Sequence, residues 1–112
     1  MTDPVTRLEL DGLSLLVLRD GVELYASCAD GVRPLLELID WFPGGLRGAT
    51  VVDRVVGACA ARAFAYLQVS KVLGITGSLP GQQILAAAGI EHEFRQLVAE
   101  VSNRQKSGIC PF

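Results

Sequence analysis

Residues Thr50–Leu67 read T-V-V-D-R-V-V-G-A-C-A-A-R-A-F-A-Y-L, and the way this run is parsed decides the architecture. Val52, Val55, Val56, Cys59, Ala60, Ala63, Phe64 and Leu67 fall on one stripe at helical spacing, the pattern of an amphipathic helix. On that reading Thr50 is the N-cap and Asp53 stands at N3, a near relative of the capping box. Gly57, Ala58 and Ala61 are small enough to let a neighbouring backbone approach. The run is therefore expected to be a central helix, packed on a sheet or on a copy of itself.

Upstream, Asp20-Gly21 separates two β-rich runs, Leu13–Leu18 and Val22–Ala26, which is the strongest short-range hairpin signal. Pro34 opens a short helix in which Leu35, Leu38, Ile39 and Phe42 recur at helical spacing, and Pro43-Gly44-Gly45 ends it. Downstream, Val69–Ile75 reads as a strand and Gln82–Ala88 as a helix. Ser78 is the expected cap of that helix, and Pro80 lies in its first turn. Gly89 suits a left-handed helix end, Ile90–Phe94 reads as a further strand, and residues 96–102 fit either helix or loop. The expected order is β-β-α-α-β-α-β. This implies an α/β domain, a layered sheet covered by helices, over residues 13–112, with residues 1–12 as an N-terminal extension.

The bulk numbers narrow the function. A chain of 112 residues has the size of one domain. Its apolar fraction is 50%, high for so short a chain, and this points to a homo-oligomer. Residues 1–53 carry nine acids and four bases, whereas residues 54–112 carry three acids and six bases. The basic half is too dilute for a nucleic-acid footprint but sufficient to neutralise one small anion. The start M-T-D-P-V-T-R lacks a secretory leader, and no run reaches membrane-spanning length. With an odd cysteine count, the expected compartment is the cytoplasm.

Cys28, Cys59 and Cys110 form no C-x-x-C pair, and His92 is the single histidine, so neither a zinc knuckle nor a thioredoxin-like site is written here. Cys28 and Cys59 read as small buried hydrophobes. Four features are left to carry chemistry. Asp53 at a helix start could accept a hydrogen bond from a ligand, or simply cap its helix. Arg54 beside it could pair with that acid or meet an anion. Thr76, Gly77 and Ser78, in G-I-T-G-S-L-P-G, join a strand to a helix N-terminus, where anions collect. They are equally what a tight turn needs. Asn103, Arg104 and Cys110 stand in the closing S-N-R-Q-K-S-G-I-C-P-F; the first two can recognise an amide edge and an anion. Cys110 has Arg104 and Lys106 nearby to favour a thiolate.

G-V-R-P-L-L-E-L (31–38), G-A-T-V-V-D-R-V-V-G-A-C-A-A (48–61) and the closing eleven residues together resemble the bacterial domain of unknown function DUF1893, from about Leu13 to Cys110. Arg54 stands where that family's pattern has lysine, and Gln105 where it has an acid. The resemblance implies a cytidine-deaminase-like fold. Zinc deaminases carry H-x-E and P-C-x-x-C, but here the corresponding segments read T-V-V-D-R and L-P-G-Q-Q-I-L. Gly81 and Ile84 replace the cysteines. The resemblance thus implies the fold with no metal, no cofactor and no hydrolytic deamination. It further implies a crevice bordered by Asp53, Arg54 and the Gly77–Gly81 turn, with Asn103 and Arg104 facing it and Cys110 near its rim. Three readings follow: a metal-free domain binding a small anionic or nucleotide-like molecule; a cysteine-dependent transferase or hydrolase using Cys110 with Asp53; or a purely structural homo-oligomer.

Overall fold

The sheet grows outward from the Asp20-Gly21 turn. A computed structural model describes residues 4–29 and 33–99 of the chain. Asp20 and Gly21 have φ of 52° and 78°, the two left-handed conformations that a type I′ hairpin turn requires. They join β1 (Leu15–Arg19) to β2 (Val22–Ser27), antiparallel, with Leu15 opposite Ser27 and Arg19 opposite Val22. The expected hairpin is present. Ahead of it lies α1 (Pro4–Leu10), and after it α2 (Arg33–Trp41), the short helix that Pro34 announces.

The reading of Thr50–Leu67 as one helix is corrected. Thr50–Val56 is strand β3, Gly57 is extended at φ −93° and ψ −170°, and helix α3 occupies only Ala58–Leu67. Four of the seven residues of β3 are valine. Branching at Cβ costs side-chain freedom in a helix and suits a pleated sheet. β3 is also covered on both faces, so its apolar residues run on instead of alternating, and such a run can imitate a helical stripe. Asp53 therefore does not occupy a helix first turn, and Thr50 caps nothing.

β4 (Lys71–Ser78), α4 (Leu79–Ala87) and β5 (Glu91–Val98) complete the order. The five strands are arranged β2-β1-β3-β4-β5. β1 runs antiparallel to β3, while β3, β4 and β5 run parallel. The result is a mixed sheet in an α/β domain. Strand alternation divides its apolar residues between two layers. Leu15, Val17 and Val51 pack with Leu35 and Leu38 of α2, Phe64 and Leu67 of α3 and Leu85 of α4. Leu16 and Val52, on the other face, pack with Val5 and Leu8 of α1. Helices thus cover both faces. Tyr25 reinforces the first layer: its ring meets Trp41 edge-on at 5.2 Å, and its hydroxyl donates to Glu37 Oε1 at 2.5 Å.

Candidate functional site

Parallel pairing of β3 and β4 sets two helix starts side by side. Val56 lies opposite Gly77, and each strand runs within one or two residues into its helix. α3 begins after Gly57, which has no side chain to cap it, and α4 begins after Ser78. Ser78, 1% exposed, accepts a hydrogen bond from the Gly81 N–H at 3.0 Å, so the expected cap is formed. Neither helix carries an acid in its first turn. The positive ends of two helix dipoles therefore lie together with no acidic first-turn side chain to offset them.

Glycine makes the closeness workable. A Cβ on Gly81 would stand 2.7 Å from the Val56 carbonyl oxygen and 3.1 Å from that of Gly57. The first turn of α4 consequently rests directly on the junction between β3 and α3. On β4, a Cβ at Gly74 or at Gly77 would strike the Phe94 ring from β5, within 2.6 Å at Gly74. That ring covers the bare backbone of both glycines.

Asp53 stands three residues before the end of β3. It pairs in register with Leu15 on β1 and Gly74 on β4, which places it on the face covered by α2, α3 and α4. Its accessibility is 0%. A carboxylate taken so fully from water is costly unless it is paired. Asp53 is indeed engaged, and among the described residues no buried side-chain nitrogen or oxygen lacks a hydrogen-bond partner.

Arg54 points to the opposite face. Its Nε donates to the Leu13 carbonyl at 2.5 Å and its Nη2 to that of Leu8 at 3.4 Å, so it ties β3 to the end of α1. The resemblance implied that Asp53 and Arg54 border one crevice, but a strand separates consecutive side chains to opposite faces. Thr76 is half-buried on β4, and Gly77 and Ser78 are buried where β4 enters α4. The structure therefore sets Gly77 and Ser78 at the paired helix starts, keeps Asp53 buried three residues further back on β3, and turns Arg54 to the opposite face. Asn103, Arg104 and Cys110 lie outside the described residues.

The cysteines depart from expectation. Cys28 is exposed with a free thiol, just beyond the end of β2, and Cys59 is half-buried and disulfide-bonded. Neither is an inert core residue. Sequence reasoning missed Gly81. The signal was a glycine at the third helical position after Ser-Leu-Pro, where its low helix propensity needed a packing reason.

Two cavities lie along other parts of the sheet. One of about 250 Å³ sits between α1 and β5, lined by Val5, Leu73, Glu93 and Arg95. Another of about 520 Å³ lies at the far end of the sheet, near Arg47, Gln68, Ser70 and Gly89. Among the described residues no group of three or more His, Cys, Asp or Glu side chains is arranged to hold a metal ion. No described helix is long and apolar enough to cross a membrane.

A family model for the domain of unknown function DUF1893 matches residues 5–112. A crystal structure of a DUF1893 family protein from Thermotoga maritima superposes with a TM-score of 0.82 at 23% identity, covering 99% of this chain and 78% of that one. At that identity the likeness is one of fold. No curated protein matches the chain.

Proposed function

The chain belongs to the DUF1893 family, whose description assigns no activity, and from that premise we propose that it binds a small anionic or nucleotide-like molecule at the neighbouring starts of α3 and α4. The observation that carries the reading is the Val56–Gly77 pairing, which joins two helix N-termini without an acid in either first turn. Such a pair concentrates backbone N–H groups and positive dipole ends at the carboxyl edge of parallel strands, where ligands of open α/β sheets collect. We take these helix starts to be the crevice that the resemblance to a cytidine-deaminase-like fold implies. In this reading the anion sits at the helix starts beside Gly77 and Ser78, whose own backbone is paired in the sheet, the Thr76 hydroxyl lies close by, and buried Asp53 orients a polar group of the ligand or of the protein. Asn103 and Arg104 supply amide and guanidinium recognition. Arg54, committed to the α1 carbonyls, acts by holding the strand that carries Asp53.

The test is calorimetric titration of the full chain with inorganic phosphate and with nucleoside monophosphates, beside native mass spectrometry of the protein as purified. Saturable binding that Arg104→Ala weakens, with the melting temperature unchanged, supports the reading. A covalent adduct at Cys110, formed once the protein's disulfide is reduced, would replace it with a cysteine-dependent enzyme. Absence of retained or added ligand, with Asp53→Asn lowering only thermal stability, would leave a structural domain.

A further inference from the structure

β5 closes one side of the sheet, and among the described residues no strand pairs with its outer edge. It is also thinly covered from above and below: Glu91, Glu93, Arg95, Gln96 and Leu97 are exposed, and His92, Phe94 and Val98 are half-buried. An eight-residue edge of this kind is a template for another strand. The opposite edge is better blunted, with an irregularity in the β1–β2 ladder between Val17 and Leu18, and an ion pair from Arg7 of α1 to Glu23 on β2.

The sequence of the edge selects its occupant. β5 reads E-H-E-F-R-Q-L-V. Folded back antiparallel on itself about Phe94, it sets Glu93 opposite Arg95 of the second copy, and Arg95 opposite its Glu93. The same two-fold sets Phe94 opposite its own copy and His92 opposite Gln96. A parallel in-register pairing would instead align each charge with its like. Opposite charges directly across antiparallel strands are favourable and like charges are not. Arg95 already bonds Glu9 of α1 at 2.6 Å, and its remaining N–H groups are free in number to bond a second carboxylate. We infer that β5 is a self-association surface, pairing antiparallel with β5 of a second copy about Phe94 and joining two five-stranded sheets into one. The contact is a symmetric one, as closed dimers require, and does not depend on the ligand proposal.

Sedimentation of the full chain over a wide concentration range tests this. The expected result is a monomer–dimer equilibrium that Glu93→Arg weakens by about tenfold, since two attractive cross-strand pairs become two repulsive ones. Exchanging the charges in E93R/R95E, with Glu9→Gln to remove the carboxylate that pairs with Arg95, restores the dimer to within about threefold of the parent. Hydrogen exchange on the unaltered protein supplies a measurement free of any variant: amides of Glu91–Val98 gain protection as concentration rises. A monomer at all concentrations, a dimer indifferent to Glu93→Arg, failure of the charge exchange to rescue, or concentration-independent protection in β5 would each overturn the proposal.

Discussion

Replacing Gly81 by alanine should destabilise this protein, against the usual trend for a helical glycine. In a helix interior the change gains up to about 1 kcal/mol in propensity. Here the added Cβ would stand 2.7 Å from the Val56 carbonyl oxygen, about 0.7 Å inside the 3.4 Å at which ordinary contact begins, and 3.1 Å from both the Gly57 carbonyl oxygen and Ser78 Oγ. Two of the three obstacles are backbone atoms at the start of α3, so no side-chain rotation relieves them. Overpacking of this kind costs roughly 1–3 kcal/mol. Displacing the Gly81 N–H from Ser78 Oγ loses up to about 1 kcal/mol of capping. After subtraction of the propensity gain, the expected loss is about 1–3 kcal/mol. In urea this lowers the unfolding midpoint by about 1 M at unchanged slope. Gln83→Ala, at an exposed position of the same helix, is the control and should stay within about 0.5 kcal/mol of the parent. A Gly81→Ala midpoint equal to or above the parent would refute the claim that the two helix starts are in contact.

Gly77→Ala should cost about 1–3 kcal/mol because its Cβ meets the Phe94 ring, and the cost should shrink when Phe94 is already alanine. Equal costs in both backgrounds, measured by denaturant melts, would refute the contact. Tyr25→Phe should cost about 1–2 kcal/mol at neutral pH through loss of the hydrogen bond to Glu37. Burial first, and then that bond, raise the Tyr25 hydroxyl above its ordinary value of 10.0, so its contribution is complete below pH 10.0 and fades as pH rises from there through the raised folded value. Stability curves of parent and variant should therefore converge only at strongly alkaline pH, and a gap that is constant with pH would contradict the assignment. Alkylation followed by peptide mapping should label Cys28 without reductant and Cys59 only after reduction; labelling of both in untreated protein would show that the disulfide at Cys59 is absent in solution.

Local chemistry was legible where one residue type settles a backbone conformation. Asp20-Gly21 specified the hairpin, Ser78 specified the start of α4, and Gly89, at φ 73°, ended it. The Thr50–Leu67 run was not legible in the same way. A buried central strand lacks the period-two signature, and Gly57 alone marks the point where it turns into α3. The resemblance set Asp53 and Arg54 on one crevice, but on β3 they are parted by the whole thickness of the sheet. α1 escaped notice because a seven-residue helix has too few turns to show a period, and its Val5 and Leu8 acquire meaning only against Leu16 and Val52. β5 runs on to Val98 because β4 offers it a parallel partner as far as Ser78, a constraint that its own residues do not announce. Thr76, Gly77 and Ser78 read as a turn, but β4 continues through all three and passes directly into α4; only the capping role of Ser78 was legible.

The most direct test of the account is an amide-resolved nuclear magnetic resonance titration of the full chain with inorganic phosphate and a nucleoside monophosphate. The predicted result is saturable shifts concentrated at the backbone N–H groups of residues 57–60, 77–79 and 81. Shifts confined to other parts of the sheet, or none at millimolar ligand, would contradict an anion site at the paired starts of α3 and α4.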